Sequence, residues 1–327
     1  MCTALTLKNR DFYFGRTLDL EYSYNESVTV TPRKRPFKFR HVEDIKEHYA
    51  VIGMATIEKG YPLYYDAVNE KGLAMGGLAF RQSAKYNSIC TGRDNIAVFE
   101  TIPWILSQCS SVSEAEKLID KINITDTDFS PEMRAAPLHW IIADSKGAIT
   151  VEPLANGVKV YDNPVGVLTN EPDFGFHMKN LSGYLNLTPY EPDCRFAEGI
   201  VLDRYSRGMG ALGLPGDLSS TSRFIRAAFT KSNSVSGESE EENVSQFFHI
   251  MNTVSHPRGC VRLGDRGDEK YEITVYTSCC NADKGIYYYK TYEDCRIHAV
   301  DMHREDIDSS ELMSYPVSRK TEITRVN

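Results

Sequence analysis

The 327-residue chain is 41% apolar and 25% charged, the mix of a globular protein that can bury a core without metals or disulfide staples. Its formal charge is −8 and its longest basic run is Arg33-Lys34-Arg35, which excludes a phosphate-gripping surface and makes nucleic acid an unexpected partner. No window nears the roughly 18 apolar residues of a membrane span, and the start has no basic-then-apolar secretory pattern. The expectation is therefore a cytoplasmic protein without membrane insertion, its eight cysteines held as thiols.

From Cys2 to Phe80 the pattern is strand-like. Residues 3–7 and 11–14 flank a Lys-Asn-Arg turn, and residues 27–31 alternate before Pro32, which predicts an N-terminal antiparallel hairpin. Residues 95–121 read as an apolar helix containing Ile96, Ile102, Trp104 and Ile105, then a second helix opened by Ser111 and Glu114. Residues 138–143 and 148–152 sandwich the polar turn Asp144-Ser-Lys-Gly147, a second hairpin continued by strands from Gly157 to Leu168. Helices are expected around 174–186, 220–231 and 243–254, with an exposed acidic loop at 232–242. Three closing strands lie at 271–279, 285–291 and 296–301. Strands at both ends with helices between them suit a sandwich of two mostly antiparallel sheets with helices outside. No repeat or linker is apparent.

Two familiar motifs fail on context. Gly208-Met-Gly-Ala-Leu-Gly213 spells a dinucleotide fingerprint, but Leu214-Pro-Gly-Asp217 breaks the helix it would need, so it reads as a Gly-rich loop. The eight histidines form no HExxH pair, and His139, beside Trp140 in an apolar strand, reads as a satisfied core histidine rather than a metal ligand.

Cys2 carries more chemistry. Removal of Met1 would leave a residue holding both a thiol and a free α-amine, with ordinary pKa values of about 8.5 and 7.7–8.0. One residue would then supply nucleophile and base. A second-position cysteine alone is equally an ordinary strand residue. The returning strand Phe14-Gly-Arg-Thr-Leu-Asp19 adds Arg16 and Asp19 across the hairpin, a guanidinium to favour thiolate and a carboxylate to hold the amine.

With MCTAL at the start, FGRTLD at 14–19, Asn-Glu-Lys-Gly-Leu at 69–73, Leu-Thr-Asn at 168–170 and Ser-Arg-Phe-Ile-Arg at 222–226, the sequence resembles choloylglycine hydrolases. These are the bile salt hydrolases and penicillin V acylases of the N-terminal nucleophile superfamily. The resemblance implies one domain over 1–327 with Met1 removed, of α+β class, an αββα four-layer sandwich. It implies Cys2 as nucleophile, Arg16 beside the thiol, Asp19 holding the amine, Asn170 as oxyanion donor and Arg223 as a second active-site arginine. Where relatives carry Asn or Tyr this chain has Ala79, whose backbone N–H remains available as the other oxyanion donor.

The implied reaction is hydrolysis of glycine- and taurine-conjugated bile salts, with no metal or organic cofactor. Penicillin V acylase or another N-acyl amidase activity is the alternative, and a non-catalytic bile-acid or lipid binder a further one. Leu18, Leu20, Tyr65, Phe129 and Met133 are expected in the acyl pocket, among other apolar residues of the loops near 57–66 and 127–137. A homotetramer is the assembly the resemblance implies.

Overall fold

The computed structural model describes residues 1–327. In chain order the first strands are β1 (Cys2–Lys8), β2 (Phe12–Leu20), β3 (Ser27–Thr31), β4 (Val51–Glu58), β5 (Tyr61–Asn69), β6 (Ala74–Ala79) and β7 (Asp94–Ala97). Helices α1 (Thr101–Gln108) and α2 (Val112–Ile119) follow, then β8 (Ile122–Thr125), β9 (Leu138–Asp144), β10 (Gly147–Leu154), β11 (Gly157–Asp162) and β12 (Val167–Leu168). After them come α3 (Phe174–Leu181), α4 (Ser220–Asn233) and α5 (Glu240–Asn252). The chain closes with β13 (Arg262–Leu263), β14 (Lys270–Tyr271), β15 (Ile273–Asn281), β16 (Ile286–Thr291), β17 (His298–Asp301) and β18 (Met313–Pro316).

Two large antiparallel sheets are stacked. One has the order β12-β1-β2-β15-β16-β17, the other β11-β10-β9-β6-β5-β4-β3-β18. Alternation along the strands explains the layering, because successive side chains point to opposite faces. In β9, Ile141 and Ala143 join the core between the sheets, whereas Trp140 and Ile142 join a second core with Ile102, Ile105 and Ile119 from α1 and α2. Phe224, Phe247 and Met251 of α4 and α5 cover the far side of the six-stranded sheet. The result is the expected α+β, αββα arrangement. No helix is long and apolar enough to cross a membrane.

The N-terminal hairpin forms in the register that the turn predicts, with Cys2 opposite Leu18 and Lys8 opposite Phe12. Three expectations are corrected. Residues 94–97 form β7, paired in parallel with β8, rather than the start of a helix; a short apolar run fits either state until its distant partner is known. The loop predicted at 232–242 is shortened because Ser239 and Glu242 form a reciprocal capping box that starts α5 early. Finally, β12 does not extend the second hairpin but crosses to the other sheet and pairs with β1. Gly166 makes this crossing, with φ +60° and its N–H bonded to Asn163 Oδ1 at 2.8 Å, while its carbonyl accepts the Thr6 N–H at 2.9 Å. The segment 208–213 is a loop with one short 3-10 turn, Met209–Ala211.

Gly15 permits the close approach of β2 to β15, since a Cβ there would sit 2.1 Å from the Ser278 carbonyl oxygen. Gly15→Ala must push two central strands apart, and a loss of about 1–3 kcal/mol is expected, read as a lower denaturation midpoint with an unchanged m-value.

Candidate active site

The crossing at Gly166 brings the end of β12 beside the end of β1. Asn170 Oδ1 accepts the Cys2 N–H at 3.0 Å, and its Nδ2 donates to the Ala79 carbonyl at 2.8 Å. Ala79 and Leu138 face each other across β6 and β9, and the Leu138 N–H goes to Tyr86 Oη instead of β6. They are therefore a non-hydrogen-bonded pair, so the Ala79 N–H and C=O both point away from β9, toward Asn170. The backbone of Asn170 is held at both ends: its N–H donates to Ser220 Oγ at 2.8 Å, and its carbonyl lies 2.8 Å from His177 Nε2.

Two guanidiniums flank this junction, both fully buried. Arg223, on α4, donates to the Cys2 carbonyl at 2.5 Å, Thr3 Oγ1 at 2.6 Å, Asn170 Oδ1 at 2.7 Å and the Leu218 carbonyl at 3.0 Å. Burial lowers its pKa against the opposing pull of Asp19, Cys2 and Glu272. Arg16 donates to the carbonyls of Thr17 and Tyr65, each at 3.1 Å, and of Gly77. Burial opposes its charge too, yet Cys2, the strongest of its electrostatic neighbours, together with Tyr276, Asp66 and Asp19, raises its pKa above the ordinary value.

The carboxylates are equally well held. Asp19 accepts from Thr17 Oγ1 at 2.9 Å and from Thr274 Oγ1 at 2.7 Å. Its main chain grips Met1, whose amine donates to the Asp19 carbonyl at 2.7 Å and lies 2.9 Å from Glu272 Oε1. Asp66, buried behind Arg16, accepts from Tyr276 and Tyr287 at 2.7 Å each and from Ser278 at 3.0 Å; burial raises its pKa, with Arg16 acting in opposition.

Cys2, Arg16, Asp19, Ala79, Asn170 and Arg223 thus meet at one place. Leu18 lies in the core opposite Cys2, Leu20 is half-buried, and Tyr65 packs on that core with its hydroxyl 2.8 Å from Thr56 Oγ1. Phe129 does not join them. It packs against Tyr61 and Phe99 with Arg40 over its ring, lining a separate cavity of about 800 Å³. Met133 is half-buried in the turn that begins at Phe129, its N–H donating to the Ser130 carbonyl. Sequence reasoning missed Thr274, Ser278, Asp66, Glu272 and His177, which support the site from other strands and helices. Their only signal is polarity inside apolar runs. His139 is buried with both ring nitrogens partnered, by Glu152 at 3.2 Å and the Thr169 carbonyl at 3.0 Å, which fixes the residue before Asn170.

Residues 2–315 match the family described as linear amide C–N hydrolases, choloylglycine hydrolase family. The bile salt hydrolase/transferase of Lactiplantibacillus plantarum is 50% identical over 327 residues, covering 100% of both chains. That of Clostridium perfringens is 39% identical, again over 100% of both chains. The crystal structure of a mutant conjugated bile acid hydrolase from Clostridium perfringens superposes with a TM-score of 0.91 at 37% identity, covering 100% of both chains. Penicillin V acylase from Agrobacterium tumefaciens shares the fold, with a TM-score of 0.76 at 18% identity over 96% of this chain and 90% of that one.

His177 supplies a pH dependence. Burial, opposed by its bond to the Asn170 carbonyl, lowers its pKa from 6.5 to about 4. The unfolded chain therefore binds a proton that the folded chain refuses. The contribution is complete above pH 6.5 and is lost as pH falls toward 4, about 3 kcal/mol in all. Denaturation midpoints between pH 7 and 4 are expected to fall more steeply in the wild type than in His177→Gln.

Proposed function

Because the chain belongs to the choloylglycine hydrolase family and is a hydrolase of linear amide C–N bonds, we propose that it deconjugates glycine- and taurine-conjugated bile acids through Cys2. The full-length relative named for bile salt hydrolysis, 50% identical, carries the substrate assignment. The junction at Asn170 supports the chemistry.

With Met1 removed, the nitrogen now bonded to Asn170 becomes an α-amine on the nucleophile itself. The Cys2 thiolate attacks the amide carbon, and the oxyanion that forms is met by the Ala79 N–H and the second Nδ2 hydrogen of Asn170. The α-ammonium protonates the departing nitrogen as the C–N bond breaks, leaving an acyl thioester. Water then gives a proton to the α-amine and attacks the thioester carbon, releasing the bile acid and regenerating the thiolate. Arg16 stabilises negative charge at sulfur. Arg223 acts on the Cys2 carbonyl and on Asn170 and so positions both. Asp19, fixed by two threonines, holds the charged amine.

Cys2→Ala should fold normally and lose hydrolysis of glycocholate and taurocholate to background, while the active wild type should have the intact mass of a chain lacking Met1. Activity in a chain that retains Met1, or in Cys2→Ala, would refute the mechanism. Penicillin V assayed in parallel decides the substrate: brisk cleavage beside negligible bile salt turnover would transfer the assignment to an acylase.

A homo-oligomer is the assembly we propose, supported by the segment 185–212. Leu185, Tyr190, Phe196, Val201 and Tyr205 are each at least 75% exposed, an unusual density of bare apolar side chains. The arm is closed at its base by Thr188 N–H to the Gly210 carbonyl and Gly208 N–H to Glu191. Glu191, Asp193, Glu198 and Asp203 are interspersed with Arg195, Arg204 and Arg207, a mixture of signs that suits a second copy of the same arm. Sedimentation should give a multimer for the wild type and a smaller species for Val201→Asp; a monomeric wild type would exclude it.

A further inference from the structure

A glycine or taurine conjugate carries a carboxylate or sulfonate at the far end of its leaving amine, and both buried guanidiniums spend most of their donors on the protein. Arg223 is committed to Cys2, Thr3, Asn170 and Leu218, and Arg16 through Nε and Nη1 to three main-chain carbonyls, with only its buried Nη2 unbonded. The chain as a whole is anionic, at −8, so an anionic leaving group needs a local cation.

Arg81 is such a cation. It is exposed and makes neither a hydrogen bond nor an ion pair. It stands at the start of the turn that follows β6, two residues beyond Ala79, and this turn is fixed to the site on both sides. Asn170 Nδ2 donates to the Ala79 carbonyl, Gln82 N–H donates to Glu171 Oε1 at 2.7 Å, and Phe80 N–H donates to the Pro137 carbonyl at 2.8 Å. Two residues of extended chain span at most about 7 Å, within the reach of an arginine side chain folded back over Ala79. The Tyr24 hydroxyl lies 2.9 Å from that of Tyr22. Burial raises the Tyr24 pKa to about 12, with Arg81 among its charged neighbours acting in the opposite direction. Glu171, the nearby acid, has one oxygen occupied by Gln82.

We propose that Arg81 binds the acidic end of the leaving group, the glycine carboxylate or taurine sulfonate, and so sets the preference for anionic conjugates over neutral amides. This assignment rests on the bile salt reading above. A charge-assisted hydrogen bond at a rim contributes to binding before and after the transition state alike, so its loss is read mainly in KM.

The test compares glycocholate, taurocholate and the uncharged ethylamide of cholic acid on the wild type, Arg81→Ala and Arg81→Lys. The ratio of kcat/KM for the anionic conjugates to that for the ethylamide is expected to fall about tenfold in Arg81→Ala, carried by KM, and to recover largely in Arg81→Lys. An unchanged ratio in Arg81→Ala, or an equal loss on all three substrates, overturns the role of Arg81 while leaving the bile salt reading intact. A wild type that hydrolyses none of the three overturns both.

Discussion

The Asn170 side chain joins three segments that the sequence keeps far apart. Its oxygen takes the Cys2 N–H from β1 and an Arg223 N–H from α4, and its nitrogen holds the Ala79 carbonyl at the end of β6. An amide can do this because it offers acceptor and donor on one rigid plane. The six-stranded sheet, the eight-stranded sheet and the outer helix layer are thus pinned together at the nitrogen of Cys2.

That junction lies within a concentration of buried charge, and its cost is offset by hydrogen bonds rather than by simple ion pairing. Arg16 and Arg223 are surrounded chiefly by carbonyl and hydroxyl oxygens, while Asp19 and Asp66 receive hydroxyl donors from Thr17, Thr274, Tyr276, Tyr287 and Ser278. Buried polar groups so partnered hold one geometry. The consequence is functional. Guanidiniums held mainly by the protein have few donors left over, which under the proposal above leaves selectivity to exposed groups.

Much of the fold could be read along the chain because its signals are local. The hairpin of β1 and β2 pairs seven residues across a polar turn, and α4 and α5 carry their own caps at Ser219 and Ser239. The β7–β8 pair and the crossing of β12 were not legible. Both depend on partners distant in sequence: β7 needs a strand after two intervening helices, and β12 leaves its hairpin sheet for a strand at the other end of the chain. Period and propensity carry no information about such partners.

The sequence by itself determined that Cys2 follows Met1, that Arg16 and Asp19 return beside it across a short turn, and that Leu168-Thr-Asn170 and Ser222-Arg223-Phe belong to one family pattern. These are covalent and local facts. Only the tertiary structure decided that Asn170 binds the Cys2 nitrogen, that Arg223 grips the Cys2 carbonyl, that Phe129 faces another cavity and that Arg81 stands unpaired at the rim. Each depends on which strands pair and which faces stack, and so on long-range hydrogen bonding and burial that no single segment encodes.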